Sequence, residues 1–232
     1  MTYAELQKAC GEFGLVLDDA TIAKLQRYAA LLQEWNERMN LTSIVDEPSV
    51  IEKHFYDSLL CIKGMSFDGR KVADVGSGAG FPGAVIALAC PKAQVYLIDA
   101  TKKKFAFLSC LKEELGIDNL SFIEGRVEDL KQHRESFDVV VSRGFAALRV
   151  FAEVGTPLLY VTGTLLAMKG GNVDEEIADA ATILNLLSLR ARKRLDETLP
   201  SGDKRALIYY AKDAHTPKRF PRRWDEIKRT KI

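Results

Sequence analysis

One stretch of the sequence decides the fold of this chain: Asp74-Val75-Gly76-Ser77-Gly78-Ala79-Gly80-Phe81-Pro82-Gly83. Apolar runs lie on both sides of it, at 71–73 and 84–89, so the pattern predicts a strand, a glycine loop and a helix. Glycine adopts positive φ without a Cβ clash, which lets the backbone approach a ligand closely. Pro82 suits the first turn of the helix, whose free N–H groups point at whatever lies on the loop. The stretch therefore predicts an α/β fold with a nucleotide-type cofactor site.

Length, composition and charge restrict the class of protein. The chain has 232 residues, 47% of them hydrophobic, and a net charge of +1 at pH 7. Any contact with nucleic acid must therefore come from local basic patches. No apolar run approaches the ~20 residues of a transmembrane helix, and the N-terminus lacks the pattern of a secretory signal. The four cysteines are widely spaced, which predicts buried thiols instead of a metal site or disulfides. We expect a cytoplasmic protein that does not span a membrane.

The chain divides into two predicted parts near residue 66. In residues 1–66, apolar residues recur at helical spacing and predict a cap of three helices, which begin near Thr2, Asp19 and Pro48. Residues 67–232 form the predicted cofactor-binding domain and end in a basic tail. In this domain strands and helices alternate, which predicts a mainly parallel sheet with helices on both faces. A helix is predicted at 102–115. The predicted strands are 71–76, 94–99, 119–124, 137–142, 162–168, 189–195 and 205–211.

Two cofactors compete for the glycine loop. Residues 78–83 match the G-x-G-x-x-G pattern, so an NAD-type dinucleotide-dependent oxidoreductase is one interpretation. Asp74, however, lies where its carboxylate would repel a pyrophosphate but attract the sulfonium of S-adenosylmethionine. Acids recur after the next two strands, at Asp99 and Glu128, and Asp99 can bind ribose hydroxyls of either cofactor. Each of these two acids alone could equally be a helix cap. Together, the acids favour S-adenosylmethionine.

Further motifs carry a resemblance to a known family. They are Glu34-Trp35-Asn36 with Asn40-Leu41-Thr42, Lys53-His54-Phe55-Tyr56-Asp57-Ser58, Lys103-Lys104 with Phe107-Leu108, Gly125-Arg126-Val127-Glu128, Ser142-Arg143-Gly144-Phe145-Ala146 and Lys169-Gly170. Together with the glycine loop, they make nearly the whole chain similar to the bacterial 16S rRNA guanine-N7 methyltransferases, the glucose-inhibited division protein B family. The resemblance implies a Rossmann-like class I methyltransferase fold, with a seven-stranded mainly parallel sheet and an N-terminal helical cap. It also implies methylation of N7 of one guanine of 16S rRNA, at position 527 in the family.

The resemblance and the glycine loop together suggest the site residues. Carried over by motif, the cofactor contacts would be Gly76, Phe81, Val127, Glu128 and Arg143, and the loop and strand ends add Asp74, Gly78 and Asp99. Guanine N7 has a free lone pair, so its methylation requires no general base. Catalysis would rest on positioning, for which Arg143 is the candidate. No metal is expected, and His54 is expected to be a hydrogen-bonded structural residue.

Local basic clusters predict the contacts with RNA. The segment 212–232 holds eight basic and three acidic residues, and Phe220 and Trp224 among them could stack on bases. A solvated basic tail without RNA contacts remains the alternative. Many relatives have Pro-Gly where this tail continues with Trp224-Asp225. The partner would be 16S rRNA or a small-subunit ribonucleoprotein particle, bound by a monomer. The predicted RNA-binding residues are Lys102, Lys103, Lys169, Arg219, Arg222 and Arg223.

Overall fold

A computed structural model describes residues 1–171 and 173–229 of the chain; residue 172 and the last three residues of the predicted basic tail lie outside the described residues. The α-helices within these ranges are α1 (Tyr3–Gly11), α2 (Asp19–Met39), α3 (Glu47–Val50), α4 (Asp57–Leu59), α5 (Gly83–Ala89), α6 (Lys102–Leu115), α7 (Leu148–Gly155), α8 (Val173–Leu186) and α9 (Trp224–Arg229). The strands are β1 (Lys71–Val75), β2 (Gln94–Asp99), β3 (Leu120–Glu124), β4 (Phe137–Arg143), β5 (Leu159–Gly170), β6 (Leu189–Thr198) and β7 (Lys204–Lys212).

The seven strands form one sheet in the order β3-β2-β1-β4-β5-β7-β6. The first five strands of the chain pair in parallel, and β7 runs antiparallel to both of its neighbours. The predicted seven-stranded, mainly parallel sheet is therefore confirmed. Because β1 to β5 are parallel, their carboxyl ends meet at one edge of the sheet, which we call the carboxyl edge.

The strand bounds agree with the prediction to within a few residues, and β5 and β6 differ most. The prediction places the start of β5 at residue 162, whereas the strand begins at Leu159. Thr162 has a φ of 75°, and the pairing with β4 changes register between Phe137 and Val139. This irregularity interrupts the alternation of side chains on which the prediction depends. The prediction ends β6 at residue 195, whereas the strand continues to Thr198, because it pairs with β7 up to that residue.

Helices cover both faces of the sheet, as predicted. Successive residues of a strand point to opposite faces, so Val72 joins one hydrophobic cluster and Ala73 joins the other. The first cluster contains residues of α5, α6 and the N-terminal helices. The second contains residues of α7, α8 and α9, including the fully buried Ile227. The N-terminal helices therefore lie on the same face as α5 and α6.

The N-terminal helices begin where capping signals predict. Thr2 and Glu5 form the capping box of α1, and the Asp18 side chain accepts the Thr21 N–H at the start of α2. The third helix begins at Glu47, beside Pro48, and continues through the π-helical turn Ile51–Tyr56 to a 3-10 turn at Leu60–Lys63. The π-helical turn has no signal in the sequence. The boundary near residue 66 remains a prediction, because these helices and the sheet share one hydrophobic cluster.

No helix in the described ranges is both long enough and apolar enough to cross a membrane.

Candidate active site

The glycine loop joins β1 to α5 in a conformation that requires glycine. Gly76, Gly78 and Gly80 have φ values of 73°, 58° and 95°, which side chains with a Cβ rarely adopt. A Cβ on Gly76 would also lie 2.5 Å from Cδ2 of Phe145, and one on Gly80 would lie 2.5 Å from the Tyr28 hydroxyl. The predicted order of strand, glycine loop and helix is confirmed.

Asp74 supports the loop from inside the protein. Its side chain is completely buried, and Oδ2 accepts the Gly83 N–H at 2.8 Å, at the start of α5. Oδ1 has no hydrogen-bond partner among the described residues. Burial raises the pKa of Asp74 to about 7. Asp74 was predicted to contact the cofactor, but the structure places it behind the loop, on the face that α5 covers.

Asp99 ends β2 beside the loop and organises it. Its carboxylate accepts the Gly78 N–H at 3.1 Å, the Thr101 N–H at 2.8 Å and the Lys104 ammonium at 2.9 Å. Burial opposes the ionisation of Asp99, but the bonds from Lys104 and Thr101 outweigh it and hold the pKa below its usual value. The predicted acid is therefore ionised and lies at the carboxyl edge, where it fixes the backbone at Gly78.

A cavity of about 350 Å³ opens at the carboxyl edge among the ends of the first four strands. Its volume falls within the range of small-molecule sites. Four of the eight predicted cofactor residues line it: Gly76, Asp99, Val127 and Glu128. The other four, Asp74, Gly78, Phe81 and Arg143, do not line the cavity. Its lining also includes residues that the sequence did not assign to the cofactor: Lys104, Arg126, Phe145 and Trp224.

The charges of this cavity suit S-adenosylmethionine better than a dinucleotide. The two basic side chains that line it are each paired with an acid, Lys104 with Asp99 at 2.9 Å and Arg126 with Glu128 at 3.2 Å. The described lining thus offers a pyrophosphate no unpaired positive side chain. An uncharged nucleoside and a sulfonium cation are compatible with it. The described residues contain no cluster of His, Cys, Asp or Glu that could hold a metal ion.

Phe81 lies at the contact between the glycine loop and the N-terminal helices. Its ring stacks on Tyr28, with centroids 5.2 Å apart, and on His54, with centroids 4.3 Å apart. Tyr28 also donates a hydrogen bond to the Ala79 carbonyl at 2.6 Å. Phe81 is therefore a packing residue that holds the N-terminal helices against the loop, and not a wall of the cavity.

Arg143 ends β4 and turns towards the N-terminal helices. Its guanidinium donates to the Lys53 carbonyl at 2.7 Å and to Asp57 Oδ2 at 3.1 Å. It also lies 3.2 Å from Nδ1 of His54. Asp57 is almost completely buried and is shared with Arg205, at 3.0 Å. The Arg143 side chain therefore connects the cap to the carboxyl edge and is not among the residues that line the cavity. Its predicted contact with the cofactor stays a prediction.

His54 is neutral in this arrangement. Because the Arg143 guanidinium can only donate, Nδ1 of His54 accepts, so Nε2 carries the hydrogen and donates to Thr42 Oγ1 at 2.9 Å. Burial, together with the charge of Arg143, lowers the pKa of His54 to about 3. The hydrogen bonds predicted for His54 are present, and its structural role stays a prediction.

Four of the predicted RNA-binding residues are exposed. Lys102 and Lys103 lie in the first turn of α6, next to Thr101 at the cavity, and neither has an ion-pair partner within the described part of the chain. Arg219 and Arg223 are exposed on the tail. Arg223 lines a second cavity of about 470 Å³, which shares Arg126, Glu128 and Trp224 with the first.

The other two predicted RNA-binding residues are internal anchors. The Lys169 ammonium donates to the Ala146 carbonyl at 2.5 Å and pairs with Glu176 at 2.7 Å. Arg222 makes two side-chain bonds to the buried Glu153, at 2.8 and 2.7 Å. Their cations are thus already neutralised, and the RNA contacts predicted for them are not supported. The idea that Phe220 stacks on bases was wrong, since only 2% of its surface is exposed.

The described fold is shared with solved methyltransferases. A "SAM dependent methyltransferase" from Aquifex aeolicus superposes with a TM-score of 0.55 at 18% identity, covering 72% of this chain and 95% of that one. The [4+2]-cyclase SpnF superposes with a TM-score of 0.56 at 13% identity, covering 68% and 81%. Because a cyclase also has this fold, the fold alone does not decide the reaction.

Closer relatives are found by sequence. "Ribosomal RNA small subunit methyltransferase G" of Streptococcus sanguinis is 39% identical over 228 residues, covering 96% of each chain. The relative of the same name from Lactococcus lactis subsp. cremoris is also 39% identical, with the same coverage. The family model GidB, described as rRNA small subunit methyltransferase G, matches residues 21–196. With the glycine loop, the acids at the strand ends and the cap in place, this chain belongs to the GidB family, rRNA small subunit methyltransferase G.

Proposed function

We propose that this protein transfers the methyl group of S-adenosylmethionine to N7 of one specific guanine of 16S rRNA. The observation that carries the proposal is the cavity at the carboxyl edge, bounded by the glycine loop and by Asp99 and Glu128, in a chain of this family.

S-adenosylmethionine is the cofactor of this family, and the predicted cofactor is thereby confirmed. When bound, it supplies an electrophilic methyl group. Asp99 is placed to accept ribose hydroxyls, in exchange for part of its bond network with Lys104 and the loop. Gly76 leaves room for the cofactor beside Phe145, where any side chain would clash. Val127 and Glu128 line the cavity at the end of β3.

The proposed target atom suits the groups present. Guanine N7 attacks a methyl group with its own lone pair, so the site needs no general base. In agreement, neither His nor Cys is among the residues that line the described cavity, and the acids Asp99 and Glu128 are both paired with cations. What the protein has to supply is alignment of N7 with the bond between sulfur and methyl.

The exposed basic residues indicate where the RNA approaches. Lys102 and Lys103 follow Thr101, which lines the cavity, and Arg223 precedes Trp224, which lines it too. Exposed cations at such positions attract phosphates without specifying sequence. The RNA would therefore cross the carboxyl edge between α6 and the tail.

Methylation of small-subunit rRNA with labelled cofactor tests the proposal. We expect incorporation at one guanine, mapped by chain cleavage at 7-methylguanosine, with naked rRNA and the assembled particle as parallel substrates. Methylation of another atom, or of neither substrate, would contradict it. Stabilisation of the protein against heat by NAD, but not by S-adenosylhomocysteine, would favour the oxidoreductase instead.

A pair of glycine variants connects the reaction to the cavity. Gly76→Ala should abolish activity, because its Cβ would lie 2.5 Å from the Phe145 ring. Gly202→Ala is the matched control: Gly202 also has a positive φ, of 91°, but a Cβ there would meet nothing within 4 Å. Both variants carry backbone strain, and only the first alters the cavity. Equal loss of activity in both would show that strain, and not the cavity, is responsible.

A further inference from the structure

The C-terminal tail contributes a wall to the cofactor cavity. Trp224, the first residue of α9, lines this cavity and packs against Phe145, with ring centroids 6.3 Å apart. We propose that Trp224 is a cofactor-binding residue whose indole packs against the adenine ring of S-adenosylmethionine and closes the cavity on the side of the tail. The inference rests on the proposed function only in that the cofactor carries an adenine.

Trp224 is held in place from both sides. Before it, Arg222 is bonded to the buried Glu153, and Arg134 donates to the carbonyl of the buried Phe220 at 2.9 Å. After it, Ile227 is fully buried and its carbonyl accepts from Arg149 at 3.0 Å. A ring fixed in this way loses little further freedom when a ligand packs against it, so its contact contributes more to affinity.

The surroundings of the indole suit a flat, uncharged ring. Phe145 packs against Trp224, and the apolar lining of the cavity also includes Val127 and Ile98. A purine presents two apolar faces and packs well on aromatic and aliphatic side chains. One polar pair, Asp99 with Lys104, lies at the end of β2 and the start of α6, and a second, Arg126 with Glu128, lies beside Trp224. The nucleoside therefore has the polar pair at the end of β2 for its ribose and the apolar lining, with Trp224, for its base.

The target guanine is the competing occupant of the Trp224 face. Trp224 also lines the second cavity, and the Arg126 guanidinium carbon and the Lys228 ammonium lie 5.9 and 5.6 Å from its ring centroid. The cofactor is favoured because Trp224 lines the same cavity as Gly76 and Asp99 and packs against Phe145, which also lines it. Binding of the target base at this ring is an outcome that the experiment distinguishes.

The chain has two tryptophans, Trp35 and Trp224, which allows a direct optical test. In the variant Trp35→Phe, all tryptophan emission comes from Trp224. We expect S-adenosylhomocysteine to change this emission saturably, with the dissociation constant that calorimetry gives. Trp224→Ala should weaken binding of S-adenosylhomocysteine at least about tenfold, since base stacking on an aromatic ring is of that order. Trp224→Phe, which keeps an aromatic ring, should stay within about threefold of the wild type.

The matched control is Tyr160→Ala, which removes an exposed aromatic side chain near the start of β5, at the opposite edge of the sheet. It should bind S-adenosylhomocysteine like the wild type. Unchanged affinity of Trp224→Ala would overturn the inference, as would a loss of RNA affinity alone, which would assign the ring to the target base. If Trp224→Ala does not fold, the Trp35→Phe variant decides alone. Should it bind S-adenosylhomocysteine with no change in its tryptophan emission, the inference is overturned as well. A wild type that binds no S-adenosylhomocysteine would instead overturn the proposed function.

Discussion

Asp74→Asn removes an ionisable group beneath the glycine loop and keeps its shape. Asp74 is completely buried, and Oδ2 accepts the Gly83 N–H at 2.8 Å. The amide oxygen of asparagine can accept the same bond, so the start of α5 should be preserved. What the substitution removes is the proton equilibrium of the carboxyl group, whose pKa burial raises to about 7.

The sign and size of the effect follow from this pKa. The unfolded chain has an aspartate pKa near 3.9, so between about pH 4 and 7 only the folded protein binds this proton. The free energy of unfolding contributed by Asp74 therefore rises as the pH falls, and it is lost as the pH rises through about 7. Each pH unit well inside this window is worth about 1.4 kcal/mol and the unit next to the folded pKa is worth less, so a fall from pH 8 to pH 5 contributes about 3 kcal/mol.

His54 has the opposite dependence and would hide this effect in the wild type alone. Its pKa is lowered to about 3 in the folded protein, so its protonation favours the unfolded chain and stability is lost as the pH falls below about 6.5. At pH 5 this loss is about 2 kcal/mol by the same arithmetic. Because Asp74→Asn retains His54, the difference between the two proteins isolates Asp74.

The assay is urea unfolding of the cofactor-free wild type and Asp74→Asn at several values between about pH 5 and 8. We expect the wild type to gain about 3 kcal/mol relative to the variant over this range. If the two stability profiles stay parallel to within about 0.5 kcal/mol, the carboxyl is not protonated by burial and the reasoning is refuted.

Three further predictions concern the cap and the RNA surface. Tyr28→Phe should lower the free energy of unfolding by about 1 to 2 kcal/mol, because it leaves a buried carbonyl of the glycine loop unpaired; an unchanged urea midpoint would contradict this. Arg143→Ala should cost about 2 kcal/mol, because the buried Asp57 keeps Arg205 but loses its second cation. It should also reduce methyl transfer because the cap loses its tie to β4; wild-type stability and activity would remove Arg143 from this role. Replacing Lys102 and Lys103 together by alanine should weaken RNA binding and reduce its salt dependence by about two phosphate contacts. The affinity of this double variant for S-adenosylhomocysteine should not change. The control is Lys92→Ala, which removes an exposed lysine next to the start of β2 and should leave the salt dependence of RNA binding unchanged.

Much of the architecture could be predicted because its signals are local. The glycines with positive φ, the capping box at Thr2 and the apolar runs each specify the conformation of a few neighbouring residues. Parallel strands bring their carboxyl ends to one edge, so Gly76, Asp99 and Glu128 could be placed together in advance. The irregular start of β5 was missed because the positive φ of Thr162 has no residue-type signal.

The direction of individual side chains was harder to predict. Asp74 lies two residues after Val72 in β1, so both side chains point to the same face of the sheet. That face is covered by α5, so Asp74 contacts α5 and not the cavity. Arg143 was expected at the cofactor because of its place after β4. The cap, however, places the buried Asp57 carboxylate and the neutral His54 within reach of the Arg143 guanidinium. Because the arginine side chain is long and flexible, these partners determine its direction.

Local patterns were enough to predict the strand, loop and helix at the cofactor site, the alternation of strands and helices, and the helical cap, since each depends on residues close together in the chain. Which of the predicted RNA-binding residues are exposed could be read only from the folded protein. Arg222 is neutralised by Glu153, which lies 69 positions away in the chain, whereas Lys102 and Lys103 remain exposed. Tertiary structure also brought Trp224 from the tail to the cavity. Pairings between distant residues depend on the position of the whole backbone, which no local pattern specifies.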